Sequence, residues 1–276
     1  MGATLSMRGL LGFLLSCLVF ILPAAHRWAL RQESVGAATN TGVRVPVVLE
    51  LFTSEGCSSC PPADALLARL EEEQPVAGAE IIALEEHVDY WDHQGWIDPF
   101  SSAQWTQRQQ GYASGFGDRG VYTPELVVNG RSGFVGSHEG YAYRAIVGAV
   151  AQPRTPISLT LKSEKRDQAH LKIEVGKLQG AQPGDVGEVW VAITEKALHS
   201  AVSGGENSGH DLHHAAVVRW LHKAGTADSN AAAAFTGESD LKLDSAWKRA
   251  NLRVVAFVQE KRSRHILGAA SARVEP

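Results

Sequence analysis

Two cysteines separated by two serines, Cys57-Ser58-Ser59-Cys60, form the segment of this chain with the plainest capacity for chemistry. A pair at this spacing can hold a disulfide, exchange it with other thiols, or bind a soft metal ion when reduced. Pro61 and Pro62 follow and suit the first turn of a helix, after which Ala63, Leu66, Leu67 and Leu70 recur at i, i+3, i+4 and i+7. The cysteines are therefore expected at a helix N-terminus, where free backbone N–H groups and the helix dipole favour thiolate over thiol. Cys57 is the expected attacking sulfur. Cys60, one helical turn inward and less exposed, is expected to resolve a mixed disulfide between Cys57 and a substrate. Ser58 and Ser59 carry no charge and leave the redox direction open.

The elements that must position this pair read as alternating strand and helix. Val45 to Phe52 is a nearly continuous apolar run of buried-strand type, and Thr53-Ser54-Glu55-Gly56 turns the chain into the cysteines. Residues 80–88 offer a second strand through Ile81, Ile82, Ala83 and Leu84, and residues 99–115 read as a mostly helical excursion. A strand through Leu126, Val127 and Val128 ends in Asn129-Gly130, a strong hairpin signal, and residues 141–151 close the unit as a helix. From Pro153 onward the pattern changes to alternating strands: Ile157, Leu159, Leu161; Leu171, Ile173, Val175; Val189, Val191, Ile193; Leu252, Val254, Ala256, Val258. Such repetition predicts an antiparallel sandwich, with residues 224–237 as a surface excursion or short helix. The expected division is a signal and short N-terminal segment (1–38), an α/β domain (42–152) and a β-rich domain (153–276).

The N-terminus sets the expected compartment. A short basic lead ending at Arg8 precedes an uncharged apolar run from Gly9 to Ala25, the layout of a secretory signal and short for a spanning helix. Cleavage after Ala25 and a later cut near Val35-Gly36-Ala37-Ala38 both fit, and an uncleaved anchor is the alternative. The leucine before Ser16 makes Cys17 a poor lipoprotein site. Removing the segment takes away Cys17 and leaves an even pair, for which a periplasmic or secreted location permits a disulfide. The 276 residues are 44% hydrophobic, enough for one or two ordinary cores, and the formal charge of −4 offers no basic excess for nucleic acid.

Taken in order, the strand, Cys57-Ser58-Ser59-Cys60-Pro61 on a helix, and Gly120-Val121-Tyr122-Thr123-Pro124 before a strand and hairpin resemble the thioredoxin superfamily. The resemblance implies a thioredoxin-like α/β domain followed by a mainly antiparallel β-sandwich-like domain. It implies a cis Pro124 facing the disulfide, with Thr123 holding an extended substrate, and it makes Glu50 the nearest match to a buried acid that takes a proton from the inner cysteine. Glu50 reads otherwise as an acid paired with a neighbouring base. Leu49-Glu50-Leu51-Phe52-Thr53-Ser54-Glu55-Gly56 through Pro62, His87-Val88-Asp89-Tyr90-Trp91-Asp92 and Gly205-Glu206-Asn207 are similar to a family of secreted thioredoxin-like proteins of unknown function.

Two histidine-bearing segments raise metal binding. In His87-Val88-Asp89-Tyr90-Trp91-Asp92-His93 a strand end sends alternate side chains to opposite faces, which favours an aromatic lid of Tyr90, Trp91, Trp96 and Phe100 beside the dithiol. The glycine-rich segment 204–214 carries His210, His213 and His214, and either solvates them or docks on the dithiol face. The expected function is exported thiol–disulfide oxidoreduction at Cys57, Cys60, Pro124, Thr123 and Glu50, with no cofactor. Its partners are exported protein thiols or disulfides and a redox partner, with membrane contact only through an uncleaved signal. The alternative is a copper-binding or copper-delivering module using the reduced cysteines and nearby histidines.

Overall fold

The computed structural model describes residues 44–275. The signal-like segment, Cys17 and the expected cleavage positions lie outside these residues. Strand β1 (Val45–Thr53) leads through the cysteine turn into helix α1 (Pro61–Glu73), and β2 (Ala79–His87) returns parallel to β1. Helix α2 (Ala103–Phe116) follows, capped by Ser102 at its start and by Gly117, at φ 75°, at its end. Strands β3 (Glu125–Val128) and β4 (Ser132–Val135) form the hairpin at Asn129-Gly130, whose positive φ values of 47° and 63° match the turn this dipeptide prefers. Helix α3 (Glu139–Val150) completes the first half.

Alternate side chains of β1 enter different cores, as the pleat requires. Val47, Leu49 and Leu51 pack with Leu66, Leu67 and Leu70 of α1 and Ile146 of α3. Val48 and Phe52 face the other way, against Trp105 and Tyr112 of α2. This two-sided burial explains the uninterrupted apolar run in the sequence.

The second half supplies β5 (Ile157–Lys165), β6 (Gln168–Gly176), β7 (Gly187–Glu195), β8 (Leu198–Ala201), β9 (Asp211–His214), β10 (Val217–Ala227), β11 (Ala233–Lys242), β12 (Leu252–Glu260) and β13 (Ile266–Arg273). Strand β10 pairs with β2 on one edge and β7 on the other, giving an eight-stranded mixed sheet in the order β13-β12-β7-β10-β2-β1-β3-β4. A three-stranded sheet, β11-β6-β5, packs Leu171, Ile173 and Val175 onto Val191, Ile193, Val254 and Ala256 of the long sheet.

The fold is thus mostly sheet, with three helices among the described residues, and not a thioredoxin-like α/β domain followed by a sandwich. Strands from both sides of the expected boundary at 152/153 share the long sheet. Residues 224–237 also differ from expectation, since they form the end of β10 and the start of β11. Their alanines and small polar residues carry no strand signal of their own, and pairing with β7 and β6 imposes the conformation. Among the described residues no helix is long and apolar enough to cross a membrane.

Candidate functional site

Cys57 and Cys60 are joined in a disulfide with their Cα atoms 5.5 Å apart, in a turn closed by Cys57 N–H to Ser54 O and Cys60 N–H to Cys57 O, each at 3.1 Å. Both cysteines are fully buried, so the expected contrast between an exposed Cys57 and a sheltered Cys60 does not hold. The helix start is also poorer in donors than expected. Pro61 and Pro62 have no N–H, and the N–H groups of Ala63 and Asp64 are spent on the Cys60 carbonyl. The Ser59 hydroxyl, 3.3 Å from Cys57 Sγ, remains as local polar company for that sulfur.

The glycine-rich segment covers the pair. Asn207 is buried and its Nδ2 donates to the carbonyls of Glu55 (2.8 Å) and Cys57 (3.0 Å). Glu206 accepts from the Ser58 N–H at 3.0 Å, and the Ser58 hydroxyl, with that N–H, lowers its carboxyl pKa. Gly205 sits at φ 69°, and a Cβ on Gly204 would collide with the Gly95 carbonyl, so glycine is required for this approach.

The Thr123–Pro124 peptide is cis. Trp91 ties it to the cysteine turn: its Nε1 donates to Thr123 Oγ1 at 2.7 Å, while its Cβ lies 3.1 Å from where a Cβ on Gly56 would stand. Gly136 sits between Pro124 and Ala63, with a hypothetical Cβ 3.5 Å and 3.2 Å from theirs. Trp91 and Gly136 thus link Thr123 to the cysteine turn and Pro124 to the start of α1.

Glu50 does not join them. It lies on the Val48 and Phe52 face of β1, opposite α1, bound to Arg108 and to the Tyr112 hydroxyl. The acid on the cysteine side is Asp64, in the first turn of α1, a residue not among the candidates read from the sequence. It follows Cys60 by four residues on the same helix, is buried, and accepts from Thr53 Oγ1 at 2.7 Å. Burial, with Glu85 adding repulsion, pushes its carboxyl up to about 7.

Beneath the cysteine turn runs a buried chain of charged groups. His87 Nδ1 is 2.7 Å from Asp98 Oδ2; His214 places Nδ1 2.7 Å from Glu85 Oε1 and Nε2 3.1 Å from Glu55 Oε1. Trp96 Nε1 donates to Glu55 Oε2 at 2.8 Å, and Phe100 lies edge-on to both imidazoles. Burial opposes charge on His214, but Glu85 and Glu55 outweigh it and raise its pKa to about 9; Asp98 does the same for His87. The linear cluster at residues 87–93 does not converge, because Asp89 binds Thr106, Asp92 binds Ser101 and His93 is exposed. His210 and His213 are exposed as well, and the sulfurs are bonded to each other, so the copper donor set is not assembled.

Beside Pro124, Glu125 is buried and accepts from Gln109 Nε2 at 2.8 Å, and burial pushes its carboxyl up to about 7. A raised acid pKa means that the folded state holds more protons between about pH 4.5 and 7, so stability falls as pH rises through that window. Glu125→Gln is expected to match the parent at pH 4 and exceed it by about 2–3 kcal/mol at pH 8 in urea unfolding. An offset that does not change between these pH values would contradict that assignment.

A family model described as a protein of unknown function, DUF1223, matches residues 48–259. Among solved structures, protein AGR_C_4864 from Agrobacterium tumefaciens aligns with a TM-score of 0.64 at 26% identity, over 84% of this chain and 96% of that one. HBP35 of Porphyromonas gingivalis aligns with a TM-score of 0.61 at 18% identity, over 84% and 76%, a likeness of fold alone. None of the curated proteins compared with the chain matches it significantly. These findings, with the mostly-sheet fold, overturn the resemblance to the thioredoxin superfamily and to a thioredoxin-like family.

Proposed function

We propose that this chain, a protein that belongs to the DUF1223 family of unknown function, is an exported thiol–disulfide exchange protein whose reacting pair is Cys57 and Cys60. The observation that carries this reading is the position of the disulfide: its cysteines are separated by two residues, at a helix start, under a segment that holds the turn by side-chain bonds from Glu206 and Asn207. As a staple such a bond contributes little. Closing a loop of about four residues restricts the unfolded chain by about 2 kcal/mol, against about 4.7 kcal/mol for a 100-residue loop. A disulfide also accords with an oxidising compartment and with the signal-like N-terminus.

In the exchange, a partner thiolate attacks Cys57 Sγ, the Cys57–Cys60 bond breaks, and its electron pair goes to Cys60 Sγ. Buried Asp64, four residues after Cys60 in the first turn of α1, is assigned as the group that supplies the proton making Cys60 a thiol. A second partner thiolate then attacks the partner sulfur of the mixed disulfide, releasing Cys57 and leaving the partner oxidised. The same steps run in reverse for a reductant. Thr123 and Pro124, held beside the cysteine turn by Trp91 and Gly136, form the adjoining wall for an extended partner segment.

Cys60→Ser is expected to accumulate mixed disulfides through Cys57 when incubated with a disulfide-bearing protein, seen as reducible adducts by mass spectrometry. Cys57→Ser is expected to give none. Two folded variants that behave alike, with no adduct from either, would remove the catalytic reading.

A further inference from the structure

We propose that Glu85, His87 and His214 form a binding site for one divalent first-row transition-metal ion, with zinc the best match to the donors. Their ligand atoms lie within 4.8 Å of one another and all three residues are buried. Each is held by its outer atoms. His87 uses Nδ1 on Asp98, and Asp98 is fixed by the N–H groups of Glu55 (2.8 Å) and Phe100 (2.9 Å). His214 uses Nε2 on Glu55, which Trp96 holds in turn. Glu85 uses Oε2 to accept from the N–H groups of Ala215 and Ala216. The atoms left facing inward are His87 Nε2, His214 Nδ1 and Glu85 Oε1. Metal-binding histidines commonly give their second nitrogen to a carboxylate in this way, which fixes ring orientation and raises ligand basicity.

The second observation is an orphan. His87 Nε2 is buried without a hydrogen-bond partner, 3.7 Å from Glu85 Oε1, although leaving such a nitrogen unpaired carries a desolvation cost. The gap is too long for a hydrogen bond and near the spacing of about 3.3 Å that tetrahedral bonds of about 2.0–2.1 Å impose on two ligands. The contact of His214 with Glu85 would open by about 0.6 Å to the same spacing. Two imidazoles and one carboxylate leave a further position for water, and the flanking carboxylates of Glu55 and Asp98 offset the ion's charge. Phe100, edge-on to both rings, shields the site. This site uses neither sulfur and does not depend on the exchange reading.

The test is zinc titration by calorimetry, and cobalt substitution read by absorption, on the oxidised full-length protein after chelator dialysis. One ion per chain is expected, with a tetrahedral cobalt spectrum lacking a thiolate band and a melting temperature that rises with zinc. His87→Gln is expected to weaken binding at least 100-fold and to abolish the melting shift. Asp98→Asn, which keeps every ligand, is expected to weaken it about 10–100-fold and serves if His87→Gln does not fold. His199 and His213 flank Asp211 on the surface and are a competing place where zinc could lodge. Binding lost in His199→Gln/His213→Gln but retained in Asp98→Asn, or no stoichiometric binding, would overturn the proposal.

Discussion

Replacing Arg108 with methionine is expected to lower the unfolding free energy by about 3–5 kcal/mol. The guanidinium is buried between two carboxylates, bound to Glu50 and 3.3 Å from Glu86 Oε1. It also donates to Gln259 Oε1 at 3.2 Å and lies within 6 Å of the ring centres of Tyr112, Trp190 and Phe257. Neither Glu86 oxygen has a hydrogen-bond partner, and burial drives that carboxyl well above its usual pKa. With Arg108 gone, Glu50 would be a buried carboxylate without a counter-ion, and its remaining bond to Tyr112 would not replace one. Methionine fills much of the volume, so the loss reports charge rather than a cavity. Urea unfolding at pH 7 measures it. A loss under about 1 kcal/mol would show that the network is solvated and that Glu50 is not a paired structural acid. Partial recovery in Arg108→Met/Glu50→Gln is expected, because the second change removes the stranded charge.

Asn207→Ala is expected to accelerate reduction of the Cys57–Cys60 disulfide by dithiothreitol about 30-fold. The native disulfide has no exposed surface, so a thiol reaches it only when segment 204–209 lifts from the cysteine turn. The two bonds from Asn207 Nδ2 to the Glu55 and Cys57 carbonyls oppose that opening. At about 1 kcal/mol each, their loss shifts the opening equilibrium by about 2 kcal/mol, near 30-fold. Glu206→Ala removes one solvent-exposed bond to Ser58 and is expected to change the rate only a few-fold. Alkylation of freed thiols followed by mass spectrometry gives the rates. Equal rates in the parent and Asn207→Ala would mean that segment 204–209 does not control access.

How much of this was legible in the sequence depended on how local the signal was. The periodicity from Ala63 to Leu70, the prolines before it and Asn129-Gly130 each report short-range geometry, and helix and hairpin stand where they place them. The side of the sheet on which Glu50 falls was hidden because β1 is apolar on both faces, so no alternation marked which parity meets α1. The continuity of the long sheet depends on β10 meeting β2, a pairing between distant segments that no window records. The buried histidine network was hidden for the same reason. His87 and His214 lie in segments that read locally as a strand end with an aromatic lid and as a solvated or docking loop, but the buried network takes one histidine from each, and 129 positions separate Glu85 from His214. Asp64 carried a faint signal, an acid among the buried positions of an amphipathic helix four residues after a cysteine.

The reduction potential of the Cys57–Cys60 pair tests the central claim most directly. It is measured by equilibrating the purified protein in glutathione or dithiothreitol buffers with metal excluded and quantifying free thiols. An exchange centre is expected between about −120 and −270 mV, the span of dithiols that turn over, with equilibrium reached from both the oxidised and the reduced side. A value below about −300 mV, typical of disulfides that only hold structure, would contradict the assignment of Cys57 and Cys60 as a reacting pair.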